Sequence, residues 1–232
     1  MSTVQPMLDL VEHLTSAPIG QPNPITASLL LSWLAYPLQH PDGKLTKAMV
    51  LRGPRGNGTG MLLDAMGLIH GAAYLPLGRV DLLTSHINGF LSGKRLVRLD
   101  EIPKLEEQRA QLKALISQPA LRTHAKGRSP RVELNRLNFV FVTSDANPLG
   151  TDDRRYFAID TARTAVSSPA LFRELILWRG RGGAIDFGEY LRQYPLSQDF
   201  LLEHAIAGAA ARASSPSESG GRSSNLTEGR PW

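Results

Sequence analysis

One stretch of the sequence indicates the fold most clearly. It is Lys47-Ala-Met-Val-Leu-Arg52, followed directly by Gly53-Pro-Arg-Gly-Asn-Gly-Thr-Gly60. Its first half is a short apolar run that predicts a buried strand, and helical apolar spacing resumes over Met61–Ile69. A glycine-rich loop between a strand and a helix can surround phosphates with its backbone N–H groups. The segment therefore predicts an α/β fold with a phosphate site in the glycine loop (Gly53–Gly60), while a glycine-rich turn without any ligand stays an alternative.

The rest of the chain alternates strands with helices, which favours a parallel or mostly parallel sheet covered by helices. Helices are predicted over Leu8–Leu14, Thr26–Leu38, Lys104–Ser117, Ala170–Trp178 and Phe187–Tyr194. Strands are predicted over Leu96–Leu99, Leu137–Thr143 and Tyr156–Ile159, with a hairpin formed by Ala120–His124 and Arg131–Leu134. These patterns divide the chain into an N-terminal helical segment (1–45), an α/β domain (46–200) and a C-terminal part (201–232) whose Ser- and Gly-rich tail is predicted to be disordered.

The composition excludes several classes of protein. There are no cysteines, so disulfides and thiolate metal sites are excluded, and the six histidines show no pair at the helical spacing of metal ligands. The chain contains no run of about 18 apolar residues and does not begin like a signal peptide. With a formal net charge of +5, we expect a mildly basic, soluble, cytoplasmic protein that does not bind membranes.

Two further strands end in polar residues of the kind that act on nucleotides. Leu96–Leu99 is followed by Asp100 and Glu101, and in ATPases such a pair holds Mg²⁺ and polarises the attacking water, respectively. Solvated residues at the start of a loop are the alternative interpretation. Leu137–Thr143 is followed by Ser144 and Asp145, the position where a group that senses the nucleotide would lie.

Basic residues form two groups. Arg154 and Arg155 precede a strand, where they would act as arginine fingers on a neighbouring subunit's phosphate or form surface ion pairs with the preceding aspartates. The second group lies on the predicted hairpin and is opposed only by Glu133. It could follow a nucleic-acid backbone without reading its sequence, or simply be a solvated basic face. Its members are Arg122, Lys126, Arg128, Arg131 and Arg136.

Taken in order, these motifs resemble those of the superfamily 3 helicases, most closely the helicase-like domain of primase–helicase replication proteins of phages and plasmids. The resemblance covers about Leu8 to Phe200. It is carried by Leu31-Ser-Trp-Leu-Ala35, the glycine loop, Asp100-Glu101, Leu112-Lys113, Lys126-Gly127, the strand ending at Ser144 and Asp153-Arg-Arg-Tyr-Phe157. It implies an AAA+-like P-loop NTPase fold, a three-layer sandwich with N-terminal helices, that assembles into a homo-oligomeric ring, usually a hexamer.

The resemblance also implies roles for individual residues. ATP would be bound by Gly53, Arg55, Gly56, Asn57, Gly58, Thr59, Gly60, Ser144 and Asp145, and Mg²⁺ by Asp100. Glu101 would activate water, and Arg154 or Arg155 would act across a subunit boundary. DNA, expected to be single-stranded, would contact Lys113, Arg122, Lys126, Arg128 and Arg131. A separate primase as a further partner is left open.

The sequence departs from the family pattern at the nucleotide site. Thr59 stands where the family has lysine, Gly60 and Met61 where it has Ser or Thr, and Asp145 where it has asparagine. A lysine about 4 Å from a phosphate contributes roughly 4 kcal/mol at an effective dielectric constant near 20, so its loss would cost on the order of a thousandfold in rate. Arg55 would replace it only in part, because a guanidinium differs in geometry from an ammonium.

Three functions follow from these departures. The chain is a helicase motor that tolerates an unusual loop, or a catalytically inactive DNA-binding and oligomerisation module derived from such a motor, or a remnant encoded by decaying mobile DNA.

Overall fold

A computed structural model describes residues 4–16, 21–78, 83, 85, 87–100, 106–145, 154–161 and 169–204. The helices of this part are α1 (Gln5–Leu14), α2 (Pro24–Gln39), α3 (Thr59–His70), α4 (Glu106–Ser117), α5 (Pro169–Gly180), α6 (Gly183–Gln193) and α7 (Gln198–His204). The strands are β1 (Ala48–Arg52), β2 (Tyr74–Leu77), β3 (Leu96–Leu99), β4 (Ala120–Thr123), β5 (Arg131–Leu134), β6 (Asn138–Thr143) and β7 (Tyr156–Asp160). None of these helices has both the length and the apolar character needed to cross a bilayer.

The central element is a five-stranded sheet with the order β2-β3-β6-β1-β7. Every pair in it is parallel, which confirms the prediction of a parallel sheet. In the register, Arg52 of β1 lies beside Thr143 of β6 and Asp160 of β7. The glycine loop, the end of β6 and the end of β7 therefore meet at the carboxyl edge of the sheet, where open α/β sheets bind their ligands.

Alternation along the strands separates the core into two layers, one on each face of the sheet. Met49 and Leu51 of β1 pack with α1, α2, α3, α5, α6 and α7. Ala48 and Val50 face the other way and pack with α4 and with Leu121 of the β4–β5 hairpin. The molecule is thus the three-layer sandwich that the sequence predicted.

The two N-terminal helices belong to the first of these layers. Leu10 of α1 and Trp33 of α2 are buried in the same cluster as Phe187 of α6. The Trp33 indole N–H donates to the backbone oxygen of Lys47, 3.3 Å away, which ties α2 to the residue before β1. Helices α1 and α2 therefore share one core with the sheet.

Some elements differ from the sequence prediction. β2 was not predicted, because it is short and contains Pro76; proline is tolerated there since β2 lies at the edge of the sheet. α3 begins at Thr59 rather than at Met61, because Gly58 at φ +98° ends the loop two residues earlier. The predicted disordered tail, Ala213–Trp232, lies outside the described residues.

Candidate functional site

A cleft of about 430 Å³ opens at the carboxyl edge of the sheet. The glycine loop forms one wall, and the ends of β3 and β6 form the other. The lining residues are Gly53, Pro54, Arg55, Gly56, Asn57, Thr59, Gly60, Arg98, Asp100, Val142, Thr143 and Ser144. Most of the nucleotide-site residues named from the sequence thus lie around one cavity.

Glycine is required in the loop for its backbone conformation and for the space it leaves. Gly56 and Gly58 have φ values of +84° and +98°, a region that other residues enter only with strain. A Cβ atom on Gly56 or on Gly60 would meet no heavy atom within 4 Å, and both residues line the cleft. The cleft side of the loop is therefore open backbone that a phosphate could approach closely.

A network of side-chain hydrogen bonds links the glycine loop to Thr161 and to the end of β1. Asn57, only 3% exposed, donates from Nδ2 to Thr161 Oγ1 at 2.7 Å. Its Oδ1 accepts from the Thr59 hydroxyl at 2.8 Å and from the Thr59 backbone N–H at 3.2 Å. Thr161 in turn donates its hydroxyl to the backbone oxygen of Arg52 at 3.0 Å. The side chain of Asn57, expected from the resemblance to bind nucleotide, is thus engaged within the protein.

The start of the loop is fixed by its neighbours in the sheet. The Gly53 N–H donates to the backbone oxygen of Thr143 at 2.9 Å. A Cβ atom on Gly53 would overlap Thr161 Oγ1, so glycine is needed here for space and not for its dihedral angle. Beside it, Arg52 forms an ion pair with Asp160, and the hydrogen bond to this carboxylate raises the pKa of Arg52. No sequence motif pointed to Thr161, which follows β7.

Thr59, at the position where the resemblance implies a lysine, is 4% exposed and its hydroxyl donates to Asn57. Positive charge in the cleft comes instead from Arg55, which is exposed, and from Arg98 of β3. Arg98 Nε donates to Asp100 Oδ1 at 2.7 Å and Nη1 donates to Asp64 Oδ1 at 3.2 Å. Burial lowers the pKa of Arg98, but its interactions with Asp100 and Tyr74 together outweigh burial, so this pKa is raised.

Among the described lining residues of the cleft, few side chains could hold Mg²⁺. Asp100 is the one carboxylate among its described lining residues, and it already accepts a hydrogen bond from Arg98. The Thr59 hydroxyl donates to Asn57, and Gly60 has no side chain. Across the described parts of the chain, no group of three His, Cys, Asp or Glu residues could hold a metal ion. In nucleotide sites Mg²⁺ is held by one or two carboxylates together with phosphate oxygens and water, so Asp100 is the lining residue that would hold it here.

The remaining residues predicted for the nucleotide site have different positions. Ser144 lines the cleft, and the Asp145 backbone N–H donates to Thr143 Oγ1 at 3.1 Å. Gly58 caps α3 and accepts from the Met61 N–H at 3.0 Å. Glu101, predicted to activate water, lies outside the described residues.

Arg154 and Arg155 lie at the amino ends of the strands, whereas the cleft lies at their carboxyl ends. They precede β7, whose first residue pairs with Ala48 at the start of β1. Four residue rises along β1 span about 13 Å, so neither side chain is near its own glycine loop. Arg155 Nε donates to the Ser117 hydroxyl at the end of α4, 3.1 Å away. If these arginines act on a nucleotide, it is one held by another copy of the chain.

The basic hairpin, β4 and β5 with their connecting turn (120–134), packs on the second face of the sheet. Asn88 fixes it, because its Oδ1 accepts from the His124 N–H at 2.8 Å and its Nδ2 donates to the backbone oxygen of Arg122 at 3.0 Å. Arg122 is paired with Val132, and Thr123 with Arg131. Arg122 and Arg131 therefore belong to opposite faces of the hairpin.

The turn of the hairpin carries exposed Lys126 and Arg128, with Gly127 between them at φ +74°. Arg136, counted with this basic group in the sequence, forms an ion pair with Asp42 at 2.8 Å instead. Lys113 lies in α4, the helix before the hairpin. Among the predicted DNA-binding residues, the structure places Arg122, Lys126, Arg128 and Arg131 together on one exposed hairpin.

Comparisons with known proteins agree with this fold. A protein-family model described as "Family of unknown function (DUF5906)" matches residues 51–155, from the end of β1 to Arg155. The apo C-terminal region (305–718) of NrS-1 aligns with a TM-score of 0.71 and 20% identity, over 90% of this chain and 50% of that chain. Its A form apo structure aligns with a TM-score of 0.70 and 21% identity, over 85% of this chain and 46% of that one.

The likeness to NrS-1 shows that the two chains share this α/β fold, and this chain spans about half the length of that region. JCV helicase with a bound small molecule aligns over 92% of this chain and 67% of its own, at 13% identity and a TM-score of 0.46, which is too weak to support an argument. No curated protein matches the chain.

Proposed function

We propose that this chain is a DNA-replication helicase-like domain that binds a nucleotide through its phosphates. The observation that carries the proposal is the cleft of about 430 Å³ between the open glycines of the loop and the ends of β3 and β6. It lies at the edge of a parallel sheet where such folds bind nucleotides. The ordered motifs that resemble superfamily 3 helicases, and the fold shared with the NrS-1 region, support the same function.

A binding experiment tests the nucleotide site. Titration with a fluorescent ATP analogue should show saturable binding to the wild-type protein, and Gly56→Ala should weaken it by roughly tenfold, because a methyl group would stand where the loop faces the phosphates. Gly93→Ala is the matched control. Gly93 also has a positive φ (+73°) and open space around it, but it lies outside the cleft lining. Equal effects of the two substitutions, or no binding by the wild type, would refute the proposal.

The proposal extends to DNA and to assembly. The exposed turn of the basic hairpin would contact the backbone of single-stranded DNA, and a ring of subunits would bring Arg154 and Arg155 to a neighbour's cleft. Lys126→Ala with Arg128→Ala should weaken DNA binding and lower the slope of log K against log salt by about 1.4, or about 0.7 per lost phosphate contact. Arg179→Ala with Arg181→Ala removes two exposed arginines at the same spacing from the end of α5 and should leave the slope unchanged.

A second function, binding without hydrolysis, is favoured by two contacts of the cleft. The residue at the lysine position is buried and hydrogen bonded to Asn57, and Asp100 is paired with Arg98. A DNA-stimulated ATPase assay distinguishes this module from a helicase motor. Turnover by the wild type that is lost in Glu101→Gln would exclude the inactive module. Turnover only in a Thr59→Lys, Met61→Thr variant would exclude the motor.

A further inference from the structure

We propose, on the basis of the nucleotide-binding function above, that Arg98 and Asp64 are positioning residues for a metal ion bound together with the nucleotide. Arg98 holds one oxygen of the Asp100 carboxylate and leaves the other oxygen for the ion. Asp64 holds Arg98 from the far side and balances its charge. The motifs that carry the resemblance to helicases include neither Arg98 nor Asp64.

The position of Arg98 follows from the alternation of side chains along β3. Leu96 packs in the core layer that contains α3, so Arg98, two residues further on, projects from the same face of the sheet. Its Nε donates to Asp100 Oδ1 at 2.7 Å, and its Nη1 donates to Asp64 Oδ1 at 3.2 Å. The guanidinium therefore bridges the end of β3 and α3, the helix that directly follows the glycine loop.

This bridge fixes Asp100 without using up its ability to bind a metal ion. The side chain of Arg98 is 19% exposed, whereas those of Asp64 and Asp100 are each 55% exposed, so the guanidinium is the better anchored partner of both carboxylates. The hydrogen bond from Arg98 uses Oδ1 of Asp100 and leaves Oδ2. One carboxylate beside phosphate oxygens and water is a sufficient protein contribution to Mg²⁺ in a nucleotide site.

Asp64 determines the charge of this group. A guanidinium paired with Asp100 alone would cancel the negative charge that attracts a cation. Because Asp64 is a second partner, two carboxylates share one guanidinium, and the group keeps a net negative charge. Asp100 is thus held in place while the attraction for Mg²⁺ is preserved. Asp64 lies outside the cleft lining, so its effect on the ion is indirect.

The test is the effect of Mg²⁺ on nucleotide affinity. The dissociation constant of a fluorescent ATP analogue is measured in EDTA and in saturating Mg²⁺, at low ionic strength. The ratio of the two constants is compared between variants, which cancels the binding of Mg²⁺ to free nucleotide. The wild type should bind more tightly in Mg²⁺, and Asp100→Asn should lose most of this gain. Arg98→Lys keeps the charge but lacks the planar fork, so the ratio should fall about tenfold, as is typical for residues that orient metal ligands.

Asp64→Asn separates positioning from damage to the fold. Loss of a half-exposed carboxylate should lower the ratio about threefold. The affinity in EDTA should stay the same or rise, because the phosphates then meet less negative charge, whereas a damaged fold would weaken binding under both conditions. Asp42→Asn is the matched control. It removes a carboxylate of similar exposure (51%) from an ion pair with Arg136, outside the cleft lining, and should leave the ratio unchanged.

The outcomes separate this inference from the proposed function. A ratio unchanged in folded Arg98→Lys or in folded Asp64→Asn would overturn the role of the residue replaced, and each variant remains a test if the other fails to fold. Equal affinities of the wild type in EDTA and in Mg²⁺ would overturn the inference and leave nucleotide binding standing. The absence of binding under both conditions would overturn both proposals.

Discussion

Replacing Asn57 with alanine should destabilise the folded chain strongly, although the residue lies in a loop. Its side chain donates to Thr161 Oγ1, and its Oδ1 accepts from the hydroxyl and from the backbone N–H of Thr59. All three residues of this network are buried, since Asn57, Thr59 and Thr161 are 3%, 4% and 2% exposed. A solvated loop asparagine would contribute almost nothing to stability. The loss in the free energy of unfolding therefore shows whether Asn57 is a buried network residue or an ordinary loop residue.

The magnitude follows from these contacts. A hydrogen bond contributes about 1 kcal/mol net, and a buried group left without a partner costs about 1–3 kcal/mol. Water can enter from the cleft side and form hydrogen bonds with some of the Thr59 and Thr161 groups that lose Asn57. We therefore expect a loss of about 3 kcal/mol in the free energy of unfolding. For a chain of this size about 1 kcal/mol lowers Tm by roughly 2–4 °C, which gives a shift of about 6–12 °C.

Urea denaturation followed by circular dichroism measures the loss. Asn57→Ala removes the amide that donates to Thr161. Thr161→Val removes the other end of the same bond. The Asn57→Ala, Thr161→Val double variant should therefore be less destabilised than the sum of the two single variants, by about 1 kcal/mol. A loss below about 1 kcal/mol in Asn57→Ala, or strict additivity, would show that this network does not hold the loop.

Two further predictions concern buried groups away from the cleft. Lys44 donates to the backbone oxygens of Leu115 and Leu137, and burial lowers its pKa from 10.5 to about 7. The unfolded chain therefore binds more protons between these values, stability should rise with pH across this window, and Lys44→Met should reduce that slope in urea melts at several pH values. A Cβ atom on Gly183 would overlap the Trp178 indole, so Gly183→Ala should cost about 1–3 kcal/mol by calorimetry. Gly180→Ala, with nothing within 4 Å, should not destabilise the chain; equal losses would show that the overlap is relieved.

Local patterns predicted most of the fold because they are set by neighbours in sequence. The apolar run before Gly53 forms β1, and the alternating residues of Asn138–Thr143 face the two core layers. The parallel arrangement followed from the alternation of strands and helices. β2 could not be predicted, because four residues that include a proline are too short a pattern to indicate a strand. Its pairing with β3 shows that it is one.

The candidate site was less predictable, because its decisive contacts join distant parts of the chain. The sequence groups Asn57 with its loop neighbours as a ligand residue, yet one of its partners, Thr161, follows β7. The parallel pairing of β1 with β7, which sets Arg52 beside Asp160, brings Thr161 beneath the loop. Arg98 did carry a local signal, as a charged residue within an apolar strand. Its partner Asp64 lies on α3 and could not be identified from the sequence.

The conformation of the glycine loop and its chemistry therefore have separate causes. The positive φ of Gly56 and Gly58 and the hydrogen bonds among Asn57, Thr59 and Thr161 give the loop its shape. Because Thr59 takes part in these bonds, replacing it with lysine removes a buried hydroxyl at a cost of about 1 kcal/mol, and it gives Asn57 a different partner. Arg98 would still pair with Asp100 after that change. The ion pair between Arg98 and Asp100 and the hydrogen bonds of the loop are thus independent, and we expect Thr59→Lys to change the loop while it leaves the ion pair intact.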